Sequence, residues 1–578
     1  MSAEDKLSWW REARFGMFIH WGLYSIPAGI WNGREIPGIG EQILRFGQIP
    51  MAEYERLAAD FNPVNFDADA IVKLAVDAGM KYLVFTAKHH DGFAMFKSDA
   101  DPFNVVDATP FGRDVVAELA EACERAGIRF CIYYSQRQDW HHPDGSWKEW
   151  PEQHPVPFDE RDVDFNRCMT EKCIPHMKEL MTRYGRIGLV WYDTPVDSTP
   201  EQSRAFTELV HDLQPDCLVC DRVGTGFGDY AVLGDNEFPY CSRNMDGEVP
   251  ATMNNSWGYK STDSNWKSVE QLLYSLIRSA ANGCNYLLNI GPKSDGSIPA
   301  ESVERLRAIG DWLKVNGEAV YGAGAAPFPN PLRGCLMTVK GNNLYLIFRR
   351  WPGSTFELKG VQSRAVRAVL LSEPGRPLKM KQSDSLVLRT LPDVSSQTCF
   401  PVVRVEFDEP LRVDPRLIPA TDGTVTLLSG NAEVRPAKGS RLAVDRKGLP
   451  VAFHEKSGRL LWDFLIEQPG RYRLTALTNR HWSQQWISGI QLKIKCSEDN
   501  RTVELVQDVE LENIQAHYHP ETVSCLGTVG LSEPGMHQLS VSVAEMPQFE
   551  VHNPLCEDLE DARTLNLIKM TLTPDETN

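Results

Sequence analysis

The sequence predicts an α/β fold: an irregular (β/α)8 barrel of the TIM type, followed by C-terminal β-sandwich domains. Three observations predict it. Apolar, β-branched runs alternate with amphipathic helical runs through the first half of the chain. Those strand runs end repeatedly in ionisable residues. Near Tyr321 the pattern changes to short alternating runs separated by Gly and Pro. A chain of 578 residues is also too long for one core. The expected divisions are a catalytic barrel over 1–322, a β-sandwich over 323–412 and a β-rich accessory domain over 413–578, with carbohydrate binding one role open to the last.

Strands are expected at Phe15–His20, Lys81–Thr86, Arg129–Ser135, Ile187–Asp193, Cys217–Asp221 and Asn285–Ile290. Between them, Ala70, Ile71, Leu74, Ala75 and Ala78 recur at helical spacing. So do Val115, Val116, Leu119, Ala122 and Cys123, with Gly127 placed to end that helix. A third helix is SVEQLLYSLIRSAANG. Eight strands need two more, and the weak candidates are Tyr230–Leu233 and Ala251–Trp257. An open doubly wound sheet is disfavoured, because no glycine-rich dinucleotide loop follows the first strand. After the linker YGAGAAPFPNP come LMTVK, NLYLIFRR, RAVRAVLL and VVRVEF. After a second break around Pro410–Asp422 come LLWDFLIE, PGRYRLTAL, GIQLKIKC, HQLSVSVA and LNLIKMTL.

The formal net charge of -18, with no basic cluster, speaks against nucleic acid as a partner. No segment approaches the roughly 18 apolar residues of a membrane span. No basic-then-apolar leader opens the chain, so it reads as cytoplasmic, or as periplasmic or secreted if a signal was removed before Met1. The 13 cysteines lack disulfide-scaffold spacing. Cys217 and Cys220 lie on a strand run and point to opposite faces, which favours core thiols over a redox or metal pair. A homo-oligomer stays open.

In a (β/α) barrel, chemistry is built from the carboxyl ends of the strands. Those ends read FIHWG, FTAKHHDGF, CIYYS, LVWYD and LVCDR, and deliver His20, His89, His90, Tyr134, Asp193 and Arg222 to one rim. Each has a plainer reading: a hydrogen-bonded structural His20, a metal pair at His89–His90, and Asp193 as the N-cap of a following helix. Adjacent histidines diverge, and no HxH or HxxxH accompanies them, so no metal is expected. His141–His142, beside Asp144, read as solvated surface. The convergence on one rim carries the functional reading.

The runs FGMFIHWGLYSIPAG, AGMKYLVFTAKHHDGFAMF, CIYYSQRQDW, LVWYDT, SWGY and NYLLNIGPKSDGSIP resemble the retaining alpha-L-fucosidase family of glycoside hydrolases. The resemblance covers about residues 8–322 and extends more weakly into the first β domain. It implies a barrel with a C-terminal sandwich, a terminal α-L-fucosyl residue of an oligosaccharide or glycan as substrate, and no cofactor. The aspartate of the WxD motif, Asp193, would be the nucleophile. His20, His89, His90, Arg222 and the tyrosine of YYS (Tyr134, with Tyr133 as the alternative) would bind the sugar. Trp191 would pack against its apolar face.

A retaining glycosidase needs a second carboxyl group about 5–5.5 Å from the first. Many family members carry it near a DYxxPE segment; here that stretch reads GDYAVLGDNEFP, with Gly234 where the Glu would fall. Glu237, in GDNE and 44 residues after Asp193, matches the GNE motif of another branch. Glu41, in PGIGEQI, and Glu248, in GEVPATMNNSWGY, match other family glutamates. Glu237 is therefore the expected acid/base, with Glu41 and Glu248 as substrate-binding rivals. Competing readings are an α-L-galactosidase, a fucose-binding lectin on an inactive barrel, and a metal-dependent barrel hydrolase. In the last domain Trp482 and Trp486 are a sugar platform or, with more weight, core residues.

Overall fold

Long apolar runs with no polar face are what a sheet covered on both sides requires, and the strand-forming runs of the first half assemble in this way. The computed structural model describes residues 3–145, 164–195, 198–242, 245–332, 334–394, 398–480, 486–497, 499–511, 520–547 and 564–575. Eight parallel strands form one sheet: β1 (Phe15–Ile19), β2 (Tyr82–Lys88), β3 (Arg129–Ser135), β4 (Leu189–Asp193), β5 (Leu218–Val219), β6 (Ala231–Val232), β7 (Gly247–Ala251) and β8 (Asn285–Ile290). Their order is β5-β4-β3-β2-β1-β8-β7-β6. The two ends of that order meet at a bridge between Cys220 and Tyr230, which closes the barrel.

The seam is short, and side chains complete it. The Val219 amide donates to Asp229 Oδ2 at 2.9 Å, and the Val232 amide to Asp221 Oδ1 at 2.9 Å. Carboxylates thus stand where a longer strand would have offered carbonyls, which is why the barrel is irregular here.

The covering helices are α1 (Ala3–Ala13), α2 (Ala68–Asp77), α3 (Val115–Ala126), α4 (Ile174–Arg183), α5 (Pro200–Leu213), α6 (Val269–Ala281) and α7 (Ala300–Asn316). Asp67 and Asp114 cap α2 and α3 by accepting from Ala70 and Ala117 N–H. Gly127 ends α3 in the left-handed conformation, φ 71°, as its position predicts. Helix α5 is capped by Thr199 in a capping box with Gln202. Asp193 is therefore not its cap, and the plain reading of that residue falls.

The two uncertain strands are β6, within the expected Tyr230–Leu233, and β7. The latter lies earlier than the expected Ala251–Trp257 and places Glu248 inside a strand. Pro250 within GEVPA has no amide N–H to give a ladder, so the run carries a poor strand signal.

The chain divides into two compact units. The first holds the barrel: residues 1–235, 246–276 and 284–317. The second holds residues 318–578 together with two excursions from the barrel sequence, 236–245 and 277–283. It has two cores. The first packs a five-stranded antiparallel sheet, including Cys335–Lys340, Asn343–Phe348 and Val402–Phe407, with the three-stranded sheet of Thr355–Lys359, Ser385–Arg389 and Lys379–Gln382, through Leu344, Leu346, Phe348, Leu386 and Val403. The second core lies between two five-stranded sheets and centres on Trp462, Phe464, Leu474, Ile494 and Met570. Trp486 packs against this core, as the plainer reading expects. Trp482 lies outside the described residues.

Every described cysteine is a thiol, and all but Cys399 and Cys525 are buried. No helix among the described residues is long and apolar enough to cross a membrane. Among those residues, no three His, Cys, Asp or Glu side chains are disposed to hold a metal ion.

Candidate active site

Parallel register brings the strand ends level. Tyr133 pairs with Trp191 and Ser135 with Asp193, so β3 and β4 deliver their last side chains side by side. Asp193 Oδ2 accepts from Tyr133 Oη at 2.7 Å, while Oδ1 accepts from Arg222 Nη1 at 3.0 Å and from the Thr194 amide at 2.9 Å. The Asp193 amide itself donates to Gln136 Oε1 at 2.9 Å. Burial alone would raise the Asp193 pKa. The Arg222 guanidinium, with His90 and Tyr133, outweighs it and holds the carboxyl below its ordinary range. The residue is therefore ionised at neutral pH, as a nucleophile must be.

The three histidines pack as one group. The ring centroids of His20 and His89 are 5.5 Å apart, those of His89 and His90 are 4.2 Å apart, and His89 stacks on Tyr133 at 5.4 Å and 10°. Burial lowers the His20 pKa to about 3 and that of His90 to about 4, and drives His89 well below its usual value. All three are neutral at pH 7.

Their tautomers follow from their partners. Asn289 spends its amide N–H on the Trp257 carbonyl (2.7 Å), so its oxygen faces His20 Nδ1 at 2.6 Å and that nitrogen carries the proton. Ser135 Oγ donates to the Gln138 carbonyl (2.9 Å) and so accepts from His90 Nδ1 at 2.7 Å. Both rings are left with a bare Nε2. His90 Nε2 stands 3.7 Å from Asp193 Oδ2.

Arg222 holds a second carboxylate. Its Nη2 donates to Asp235 Oδ1 at 2.5 Å while Nη1 holds Asp193, and its guanidinium lies 4.8 Å over the Trp191 ring. Asp235 is 46% exposed, open enough to meet a substrate. No family motif marks Asp235 in the sequence, where Glu237 is the residue of GDNE that matches one.

Glu41 is buried in the loop before α2. Its Oε2 accepts from the Gly258 amide at 2.8 Å and Ser256 Oγ at 3.3 Å, and burial raises its pKa to about 7. The residue between those donors, Trp257, packs on His20 with centroids 5.1 Å apart. Glu41 therefore belongs to the same wall as the histidines.

The structure gives four expected residues other partners. Tyr134 points away from Asp193: its hydroxyl meets His176 Nδ1 at 3.1 Å, and Lys88 lies 4.9 Å over its ring. Neighbours on a strand face opposite sides, so Tyr133 and not Tyr134 reaches Asp193. Glu248 sits at the other end of the barrel, level with Asn285, the first residue of β8. There it accepts from Tyr82 Oη at 2.6 Å and Trp191 Nε1 at 2.9 Å. Trp191 is enclosed at 2% exposure, between that bond and the rings of Phe18 and Tyr133, and supports Arg222 instead of offering a free face to a sugar. Glu237 belongs to the second unit, where it is ion-paired with Lys447. His141 Nε2 lies 2.8 Å from Glu55 Oε1 and its ring stacks on Phe103, while His142 Nε2 lies 3.5 Å from Glu171 Oε2, so neither is merely solvated.

The family model for alpha-L-fucosidase matches residues 1–318. The chain belongs to the alpha-L-fucosidase family. Human plasma alpha-L-fucosidase is 31% identical over 384 residues, which cover 61% of this chain and 78% of that protein. The crystal structure of alpha-L-fucosidase from Vibrio sp. strain EJY3 is 30% identical, with a TM-score of 0.85, and covers 99% of this chain and 98% of its own. Alpha-L-fucosidase AlfC from Lactobacillus casei, solved in complex with alpha-L-fucose product, is 41% identical with a TM-score of 0.50. That match covers 99% of AlfC but 54% of this chain. The alpha-L-fucosidase fold thus extends through the whole chain in one relative, while another is complete with little more than the barrel.

Proposed function

We propose that Asp193 and a carboxyl group of the Gly234–Glu237 segment carry out the hydrolysis of terminal α-L-fucosyl residues that family membership assigns to this chain. The observation that carries the pairing is the shared guanidinium: Arg222 grips Asp193 with one terminal nitrogen and Asp235 with the other. A retaining mechanism uses two carboxyl groups about 5–5.5 Å apart, and one guanidinium gripping both keeps Asp193 and Asp235 close to one another. The spacing argument that singled out Glu237 selects this segment. Within it Asp235 is the better acid/base, because it shares Arg222 with Asp193, whereas Glu237 pairs with Lys447 inside the second unit.

The Asp193 carboxylate attacks the anomeric carbon while Asp235 gives its proton to the glycosidic oxygen. The C–O bond breaks, the aglycone leaves as an alcohol, and the sugar remains as an ester of Asp193. Asp235, now a carboxylate, takes a proton from water, whose oxygen displaces Asp193 and releases α-L-fucose. The bare Nε2 atoms of His20 and His90 accept from sugar hydroxyls, which fixes the ring before bonds break.

A second reading, with Glu41 as the acid, draws on its pKa of about 7. Three variants separate the candidates. Asp193→Gly should lose at least about 10³-fold in kcat, with azide restoring turnover as the β-fucosyl azide. Asp235→Asn should lose about 10²–10⁴-fold on fucosides of poor leaving groups and far less on dinitrophenyl fucoside. Asp235→Gly with azide should yield the α-fucosyl azide. The same signature in Glu41→Gln or Glu237→Gln would move the role there. An initial β-fucose product, read by NMR, would overturn retention.

A further inference from the structure

We infer that Gln136 is a positioning residue for the nucleophile, joining Asp193 to the arginine that sets its charge. Gln136 follows β3 and is fully buried. Its side-chain Oε1 accepts the Asp193 amide at 2.9 Å, and its Nε2 donates to the Arg222 backbone carbonyl at 2.9 Å. The orientation of the amide is fixed by chemistry, since an N–H can be met only by the oxygen and a carbonyl only by the NH2. The backbone of Gln136 is held as well, its carbonyl accepting from Cys173 Sγ at 3.3 Å.

The place needs such a link. Strand β5 pairs only with Leu189 and Val190 of β4, so the last residues of β4, Asp193 included, run past the end of their neighbour. Arg222 follows in a one-turn helix, Asp221–Val223, that leaves the sheet. Immediately after the nucleophile, Thr194 adopts φ 48°, a left-handed conformation that a β-branched residue disfavours and keeps only where its surroundings impose it. The Gln136 amide takes the part of the missing strand end. It ties the residue carrying the attacking oxygen to the residue carrying its counter-charge.

The inference rests on Asp193 being the nucleophile, and the azide rescue of Asp193→Gly tests that separately. Gln136→Met keeps the side-chain length and removes both bonds. Gln136→Glu keeps the acceptor for Asp193 N–H and loses the donor to Arg222. With kcat referred to folded protein, Gln136→Met should lower kcat on para-nitrophenyl fucoside about 30–100-fold with KM within about threefold. It should also move the acid limb of kcat/KM upward, because a loosened Arg222 depresses the Asp193 pKa less. Gln136→Glu should fall between Gln136→Met and the parent. A Gln136→Met enzyme with unchanged kcat and acid limb would overturn the inference. So would two variants whose losses match their loss of folded protein, with the acid limb unmoved.

Discussion

Tyr133 and Tyr134 are identical side chains at adjacent positions, and their surroundings give them different tasks. The Tyr133 hydroxyl donates to the ionised Asp193 carboxylate, and that of Tyr134 meets a buried neutral histidine. A hydrogen bond to a charge is worth about 1.5–3 kcal/mol, against about 1 for a neutral one. Tyr133→Phe should therefore cut kcat/KM about tenfold or more and raise the acid limb of its pH profile. Tyr134→Phe should lower Tm and leave both unchanged. Steady-state kinetics over pH, beside a melt of each variant, checks the pair. Choosing between them was beyond the sequence for a definite reason. Nearly all of β3 is buried, so both faces are apolar and the period of two that would mark the inner face is erased. The site histidines and Asp193 were legible because an ionisable group ending an apolar run has no other ready explanation. Asp235 was not, because its role comes from sharing Arg222, a contact between loops that no local pattern encodes.

The elements were legible in proportion to their length. Strands of five to seven residues and the capped helices stood out, while β5 is shorter than the expected Cys217–Asp221 and β6, also of two residues, was only a weak candidate. Strand β7 starts before the expected Ala251–Trp257 and contains a proline, a poor strand signal, and it holds Glu248 in the barrel interior. In the second unit one short segment shows how an element can depend on distant glycines. Cys241 lies against Gly430 and Gly448, and a Cβ on Gly430 would sit 2.0 Å from its sulfur. Tyr240 in the same segment donates its amide to the Lys447 carbonyl and its hydroxyl to Glu521. Gly430→Ala should therefore overpack this contact at a cost of about 1–3 kcal/mol, a fall of several degrees in Tm. Adding Cys241→Ala should recover most of it, a non-additivity that a thermal-melt double-mutant cycle reads directly.

For the molecule as a whole, buried ionisable groups make stability depend on pH in two opposing ways. His20 and His90 are held neutral, so below about pH 6.5 the unfolded chain binds protons that the folded one refuses, and stability falls as pH falls. Glu41 acts the other way. Its folded pKa of about 7 lies above its ordinary 4.5, so its contribution is complete below 4.5 and is lost as pH rises through 7. Glu41→Gln removes the second effect. The Tm of Glu41→Gln relative to the parent should be more favourable at pH 8 than at pH 5. An equal offset at both pH values would mean that Glu41 titrates normally. At this scale the barrel-then-sandwich order was readable from composition shifts, but the division was not linear. Residues 236–245 and 277–283 are encoded within the barrel and fold with what comes after it. Recombination between family members would meet this as a constraint on crossover points. A chimera joined near residue 318 inherits two short segments from one parent that must fit the β unit of the other, so those segments have to travel with the half they serve.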